Sequence, residues 1–566
     1  MEFMDVEMIG NVINEWEPLP YDWRLPLETI VNTGVYRAGG VFIDIVSEIE
    51  TLASTSANGK VTLIGHSNGG LLAKVLINRL NSEGKASLID RLIMVGTPQL
   101  GTPKSIRALL HGEFPTYETT RELAENMVSV YNFLPSPVYF QRVADPVIEF
   151  DPEVSNIYDF PGIYDASVDT SGEFTKFLLG DNGLRTEPSA GDTDAPNVLK
   201  ENLLAQAHGT HAALDLWTPP AGIEVIQIAG WGKDTIRGIR YDDCDIPLCS
   251  QTLSHLDRKM IETQDGDGTV VIPSATAMPV DDYFVNFKSY NRAGEFQRNR
   301  EHADMLEVDG LQELIKQLLQ DSFDPNNPPE FIELQKPIPS SDQKVLHLRG
   351  LSPISIDVYD SFSNHTGPVP NPDPSVDLEF FEEQIPNSYY YKIGEKTYLG
   401  LDTQDQYRIE IKGLALGSFT LEVDEVFDDE VVDSTAFTNI PVTPDTKAVL
   451  TTQTVDTTSS LSLDVEGDGT PDVMLTPSGN PNPAASLEVL KQVVNTLSIQ
   501  KGLKNGIIKQ IGAAEKLLSR RVTQRAADGI LKGLVRQLQN LPKFLIKPED
   551  AQALIRIIET IRASLV

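Results

Sequence analysis

Cysteine is almost missing from this chain: its 566 residues hold only Cys244 and Cys249. Two thiols are too few for a structural zinc site, which takes four ligands. They stand close together in Asp242-Asp243-Cys244-Asp245-Ile246-Pro247-Leu248-Cys249. That spacing suits one small disulfide-closed loop, and with it an oxidising compartment, or else two free thiols. Long apolar stretches are missing too, since no run approaches the ~20 residues of a membrane-spanning helix. Positive charge is scarce: 46 Lys and Arg face 82 Asp and Glu, a net charge of −36. A body this acidic repels phosphate backbones, which excludes nucleic acid as its partner. The C-terminus is the exception. Residues 482–566 hold 14 Lys and Arg against 6 Asp and Glu, a net of +8, and the remainder carries −44. This basic segment suits contact with an anionic cell or membrane surface, or simply forms solvated helix faces. The opening Met1-Glu2-Phe3-Met4-Asp5-Val6-Glu7 is acidic and has neither the basic start nor the apolar stretch of a secretory signal.

A chain of 566 residues exceeds the ~250–300 that one core serves, so several domains are expected. Residues 1–322 alternate between strand and helix patterns, which predicts an α/β domain. Helical spacing runs over 41–53 and 69–82, and short apolar strands over 61–64, 92–95, 224–229 and 282–287, with a closing helix at 311–319. The stretch 104–221 interrupts this alternation. Residues 114–177 hold 12 Phe and Tyr in 64 positions, against 7% aromatic overall, which predicts a cap with an apolar lining over the site or an aromatic packing insert. Residues 323–341 are rich in Pro, Asn and Ser and read as a linker. Period-two alternation with recurrent turns over 342–480 predicts a β-sandwich-like domain, and four apolar-faced helical stretches in 481–566 predict a small bundle.

The strongest local signal is Gly65-His66-Ser67-Asn68-Gly69-Gly70, placed between the apolar run Val61-Thr62-Leu63-Ile64 and the helical Leu71-Leu72-Ala73-Lys74-Val75-Leu76. G-x-S-x-G between strand and helix is the nucleophile elbow of an α/β-hydrolase. A serine thrust out at the top of a sheet needs a very sharp turn, and a Cβ at Gly65 or Gly69 is expected to collide with backbone. The helix that follows points its N-terminal amides at the site, where negative charge develops.

A serine hydroxyl needs a base to take its proton, and the base needs a carboxylate to orient it. In such hydrolases the chain order is Ser, acid, His. Of the eight histidines, His66 lies in the elbow, His111, His208 and His211 in or near the cap, and His347 and His365 beyond the linker. His255 precedes the best acid. His302, after the last strand and before the closing helix, is therefore the base. Asp267, in Asp265-Gly266-Asp267-Gly268-Thr269-Val270, is the preferred acid, with Asp234 and Asp265 as alternatives. The backbone N–H of Asn68, next to the nucleophile, supplies one oxyanion donor. The 66 residues before Ser67 are too few for the opening strands of such a sheet, so the chain is expected to start inside the domain, short of the second donor.

Pro20-Tyr21-Asp22-Trp23-Arg24, the elbow, Gly96-Thr97-Pro98-Gln99-Leu100-Gly101-Thr102-Pro103, Asn132-Phe133-Leu134-Pro135-Ser136 and Gly266-Asp267-Gly268-Thr269-Val270 occur in this order. Together they resemble the lecithin:cholesterol acyltransferase-like lipases and acyltransferases, over about residues 11–320. The resemblance implies an α/β-hydrolase with a mobile cap that acts on acyl esters, usually of lipids, with Ser67 as nucleophile, Asp267 as acid and His302 as base. It implies no required cofactor.

Asp464-Val465-Glu466-Gly467-Asp468-Gly469-Thr470-Pro471-Asp472 has acids at positions 1, 3, 5 and 9. It echoes a calcium loop, with Asp464, Glu466, Asp468 and Asp472 as ligands, although position 12 is Leu475 in place of the bidentate acid. An acidic hairpin turn reads the same residues equally simply. The terminal helices resemble the FIMAH-type modules of secreted bacterial proteins, which implies a secreted or cell-surface setting. The expected function is hydrolysis of a hydrophobic ester. O-acyl transfer, amide or peptide cleavage, and non-catalytic surface binding on the same scaffold are the competing readings.

Overall fold

A computed structural model describes residues 2–565 except 38, 114, 153–159, 243–255, 294–297, 342, 374, 377, 395, 404, 453–458, 478–481 and 519–523. Cys244 and Cys249, and with them the expected disulfide, lie outside the described residues, as does His255. The described residues form two compact units, one within Met1–Asp243 and Ser254–Ile338, the other within Pro339–Val566.

The first unit is built on a five-stranded sheet. Four strands run parallel in the spatial order Asp281–Asn286, Glu224–Trp231, Ile89–Val95 and Val61–His66. The short strand Ile332–Glu333 pairs antiparallel outside Asp281–Asn286. That strand falls in the stretch read as linker, so the linker reading is corrected: Ile332 inserts its side chain into the core and closes the sheet edge. The sheet's strands are continuous apolar runs because both faces are covered. Leu92, Met94 and Val225 pack on one face against Leu72, Leu76 and Ile77 of the helix Asn68–Ser82 and against Ile45 and Ile49. Ile93, Val95, Ile226 and Val285 pack on the other against Leu311, Leu314 and Leu318 of the helix Asp309–Leu319. The helical pattern read at 41–53 starts later, at Ile45, because Asp44 caps it by accepting from the Ser47 N–H at 2.9 Å, and Phe42–Ile43 is extended.

The interrupting stretch does not stand alone. Its strands Ile148–Phe150 and Ser167–Val168 share a small sheet with Thr235–Asp242 and Asp257–Thr263, beyond the boundary expected at 221. The aromatic enrichment builds this insert's own core. Phe150, Phe160, Tyr164, Phe177 and Tyr241 are all buried, with ring centroids 5.0–6.0 Å apart. These rings pack on one another, as the packing-insert reading expects of them.

A polar line crosses the buried part of this unit. Lys74 Nζ donates to Gln99 Oε1 at 2.7 Å, Gln99 Nε2 donates to Gln227 Oε1 at 2.6 Å, and Gln227 Nε2 donates to Asp282 Oδ1 at 2.7 Å. Burial pulls the Lys74 ammonium down to about 7, against the favourable charge of Asp215. Burial pushes the Asp282 carboxyl up to about 6, although Gln227 opposes it.

The second unit pairs a five-stranded with a seven-stranded antiparallel sheet. One core draws on both: Leu348, Leu399 and Leu421 from the first, Ile356, Ile409 and Leu450 from the second. Four helices follow, Pro483–Thr496, Lys501–Leu518, Gln524–Gln539 and Pro548–Ala563. The expected division at 480/481 is not a seam. Helix Pro483–Thr496 buries Val489 and Val493 in the sheet core and Leu487, Leu490 and Val494 in the helical core. Among the described residues, no helix is long and apolar enough to cross a membrane. Some cations of the basic segment are paired within it: Lys491 with Glu488 and Glu515, and Arg562 with Asp528.

The acidic loop at 464–472 joins the strands Leu461–Asp464 and Val473–Leu475. Asp464 accepts from the N–H groups of Gly467 at 2.7 Å and Gly469 at 2.7 Å, and Asp472 from that of Val465 at 2.8 Å. These carboxylates are engaged in fastening a hairpin turn, and Glu466 points to solvent. Among the described residues no three His, Cys, Asp or Glu side chains converge as metal ligands.

Lys74 generates a stability test. Its folded pKa of about 7 lies below the unfolded 10.5, so the unfolded chain binds the extra proton between those values and stability rises with pH across that window. From pH 7 to pH 9 the unfolding free energy of the wild type should gain about 2 kcal/mol relative to Lys74→Met. Denaturant titrations at both pH values check it, and parallel profiles for the two proteins contradict it.

Candidate active site

Ser67 sits between the strand Val61–His66 and the helix Asn68–Ser82, in a left-handed conformation with φ 54° and ψ −127°. A non-glycine residue is held there only by surrounding structure. Its N–H donates to the Val95 carbonyl at 2.8 Å, which ties the elbow to the neighbouring strand. The turn is tight because Gly65 has no side chain: a Cβ there would stand 2.6 Å from Gly70 N and 2.7 Å from Gly69 C. The same expectation for Gly69 is corrected. A Cβ at Gly69 meets only the Tyr21 hydroxyl, 4.0 Å away, whereas one at Gly70 would lie 2.1 Å from Thr97 Oγ1. The second constrained glycine is thus Gly70, which lets the elbow helix approach the loop after the strand Ile89–Val95.

Asp267 is fully buried. Its Oδ1 accepts from the N–H groups of Thr269 at 3.0 Å and Val270 at 2.7 Å, in a turn that Gly268 permits at φ 90°. That leaves Oδ2 for the His302 ring, whose Nδ1 lies 2.8 Å away. The backbone repeats the link, since the His302 N–H donates to the Asp267 carbonyl at 2.8 Å. With Nδ1–H committed to the carboxylate, Nε2 is the lone-pair nitrogen, and it faces Ser67 Oγ at 2.9 Å. Gly96 forms the floor of this pair: a Cβ there would stand 3.1 Å from both Asp267 Oδ2 and His302 Nδ1.

Burial opposes charge on His302, but the Asp267 charge and hydrogen bond outweigh it and raise the imidazole above its usual range. His66 lies against it, with ring centroids 4.9 Å apart and Nε2 donating to the His302 carbonyl at 2.8 Å. Burial and the neighbouring His302 charge lower the His66 pKa, so the second imidazole stays neutral and fixes the backbone of the first.

The structure thus brings Ser67, His302 and Asp267 into one hydrogen-bonded line. The alternatives lie elsewhere. Asp265 pairs with Lys336, and Asp234 precedes the strand Thr235–Asp242 while His302 Nδ1 is taken by Asp267. His111 bonds Tyr241 and Thr193 inside the insert, and His211 bonds Asp215 at 2.7 Å. Asn68 is buried beside Ser67 and, as the first residue of the helix, has an amide with no intrahelical acceptor. The motifs read in order form one frame. Thr102 N–H donates to the Phe133 carbonyl at 2.7 Å, Ser136 N–H to Leu100 at 3.0 Å, and Leu100 N–H to Ser274 Oγ at 3.0 Å. Sequence reasoning passed over His66, Gly96 and Gln99. For Gly96 a signal existed, a glycine directly after an apolar strand.

A model of the lecithin:cholesterol acyltransferase family matches residues 3–306, more than half of the 566. The chain belongs to that family. Among curated members it is 26% identical over 295 residues to lecithin-cholesterol acyltransferase-like 4 of Arabidopsis thaliana, covering 48% of this chain and 52% of that protein. It is 25% identical over 299 residues to phospholipase A(1) LCAT3 of the same plant, covering 49% and 62%. The chain therefore spans about half the length of the curated relatives it matches. A solved structure, Bacillus licheniformis lipase BlEst2 in its propeptide form, overlaps 75% of this chain and 80% of its own at 11% identity. Its TM-score of 0.22 is too low to bear on the fold.

Two outcomes follow from this geometry. Gly65→Ala should destabilise the first unit by about 1–3 kcal/mol, whereas Gly69→Ala should shift it by less than about 1 kcal/mol, as read by denaturant unfolding. A base raised above its ordinary 6.5 must lose its proton to act, so kcat/KM for an ester should climb with pH through a midpoint above 6.5. Asp267→Asn should move that midpoint down, because burial then acts unopposed, and lower the rate by about 10⁴. A midpoint unmoved by Asp267→Asn contradicts the assignment.

Proposed function

We propose that this chain is a lipase-type serine hydrolase of the α/β-hydrolase fold, acting on hydrophobic acyl esters through Ser67, His302 and Asp267. The observation that supports it most is the single imidazole that reaches Ser67 Oγ at 2.9 Å and the buried Asp267 carboxylate at 2.8 Å. Ser67 Oγ attacks the acyl carbon as its proton passes to His302 Nε2. The carbonyl π pair moves onto oxygen, which faces the Asn68 amide. Collapse breaks the ester C–O bond, and the departing alkoxide takes the proton from Nε2. Water then attacks the acyl-enzyme by the same steps and releases the acid. Asp267 stays ionised throughout and balances the imidazolium.

The phospholipase A(1) among the relatives supports a lipid ester as substrate. Transfer to an alcohol, the family's namesake reaction, differs only in the nucleophile that meets the acyl-enzyme. The spacing of Cys244 and Cys249 supports an oxidising, extracellular setting, and the net positive C-terminal helices support contact with an anionic surface there.

A fluorophosphonate probe should label the wild type, and p-nitrophenyl esters of several acyl lengths should release p-nitrophenol. Ser67→Ala should abolish both signals, and His302→Ala should cut turnover by at least ~10⁴. Labelling that survives Ser67→Ala, or no turnover at any chain length, would falsify this reading.

A further inference from the structure

The turn that carries Asp267 is held from outside as well as from within. Thr269, whose N–H bonds Asp267 Oδ1, has its own carbonyl fixed by the Thr102 hydroxyl. The Gly268 N–H donates to Thr235 Oγ1 at 2.8 Å. The third clamp is charged. Lys104 is half-buried, and its Nζ donates to the Gly268 carbonyl at 3.0 Å and to Thr269 Oγ1 at 3.1 Å. This lysine opens the helix Lys104–His111, an end where the helix dipole disfavours a cation. A residue set against its local preference marks a place where tertiary or functional demands prevail. Here the demand is legible, because the ammonium grips the two residues that directly follow Asp267.

We propose that Lys104 is a positioning residue for the reaction, clamping the turn at 267–270 so that Asp267 Oδ2 stays aimed at His302 Nδ1. The proposal rests on the reading of Ser67, His302 and Asp267 as the reacting line. Lys104 acts through Asp267. Loosening the turn would release the amides that hold Oδ1 and let the carboxylate swing off the ring. A displacement of about 1 Å in a reacting group can cost ~10² in rate. The side chain also brings a charge. Asp267 from the turn, Lys104 from its helix, His66 from the elbow and Glu301 from the adjoining loop all face the His302 imidazole. Burial and the Lys104 charge resist protonation of that ring, and Asp267 and Glu301 promote it. One ammonium thus steadies the carboxylate and tempers its pull on the base.

Lys104→Met removes both donor and charge. On full-length protein and a p-nitrophenyl ester, kcat per fluorophosphonate-titrated site should fall about tenfold with KM within threefold. Lys104→Arg, which restores a cationic donor, should recover most of that loss. In an Asp267→Asn background the same Lys104→Met change should cost less than threefold, because the carboxylate it acts through is gone. Lys104→Gln keeps a donor and discards the charge. The midpoint of its kcat/KM profile should therefore rise by about half a pH unit, opposite in direction to the effect of Asp267→Asn. An equal loss from Lys104→Met with Asp267 and with Asn at that position shows that Lys104 does not act through the carboxylate, and overturns this proposal. A kcat for Lys104→Met within threefold of the wild type does the same, as does a Lys104→Gln midpoint that stays in place or falls. A wild type that takes no fluorophosphonate overturns the reading of Ser67, and this proposal with it.

Discussion

The buried bond between Asp267 and His302 is the constraint on which the first unit's organisation turns. A carboxylate with no exposure is tolerable only if both its oxygens are hydrogen-bonded, and here two backbone amides bond one and an imidazole the other. Those amides require the turn at 267–270, which requires Gly268 in a left-handed conformation. The imidazole requires the loop at 299–302, which Asn291 holds from both sides by accepting from the Arg300 N–H at 2.8 Å and donating to its carbonyl at 2.9 Å. The approach of both chains requires glycine at 96 and 230, since a Cβ at Gly230 would stand 2.5 Å from that of Asp267. One electrostatic demand thus fixes glycines on three separate segments.

The elbow obeys the opposite logic. Ser67 is held in a strained backbone state, and the structure supplies restraint instead of relief. Val95 fixes its amide, Gly65 and Gly70 let the strand and helix close on it, and the helix behind is anchored by buried Leu71, Leu72, Leu76 and Ile77. Lys74 on that helix gives up favourable hydration for a hydrogen bond to Gln99. A single polar line therefore joins the helix that follows Ser67, the loop of the third motif and the strands Glu224–Trp231 and Asp281–Asn286.

What could be read from the amino-acid string was chemistry written locally. Gly65 to Gly70 announces a turn because few other residues fit it, chain order then points to His302 among eight histidines, and the glycine-flanked turn favours Asp267 over the alternatives Asp234 and Asp265. The three lie in one hydrogen-bonded line in space. Strands at 61–64, 92–95 and 224–229 were visible because burial on both faces leaves unbroken apolar runs. What depended on partners distant in sequence was invisible. Phe150, Phe160 and Phe177 gave no hint that Tyr241 would complete their cluster, so composition suggested a lining as readily as a core. Ile332–Glu333 is too short to show a period, and Pro and Asn around it pointed to a linker. The orientation of Tyr21 is set by tertiary packing, and a motif quoted for resemblance did not say which way its ring would face.

Helix Pro483–Thr496 has a wider consequence. Because it surrenders valines to the sheets on one side and leucines to the other helices on the opposite side, neither portion possesses a finished interior without it. An expression boundary drawn through the proline-rich residues just before it would bare a greasy seam on each fragment. The two portions are therefore expected to melt as a single cassette.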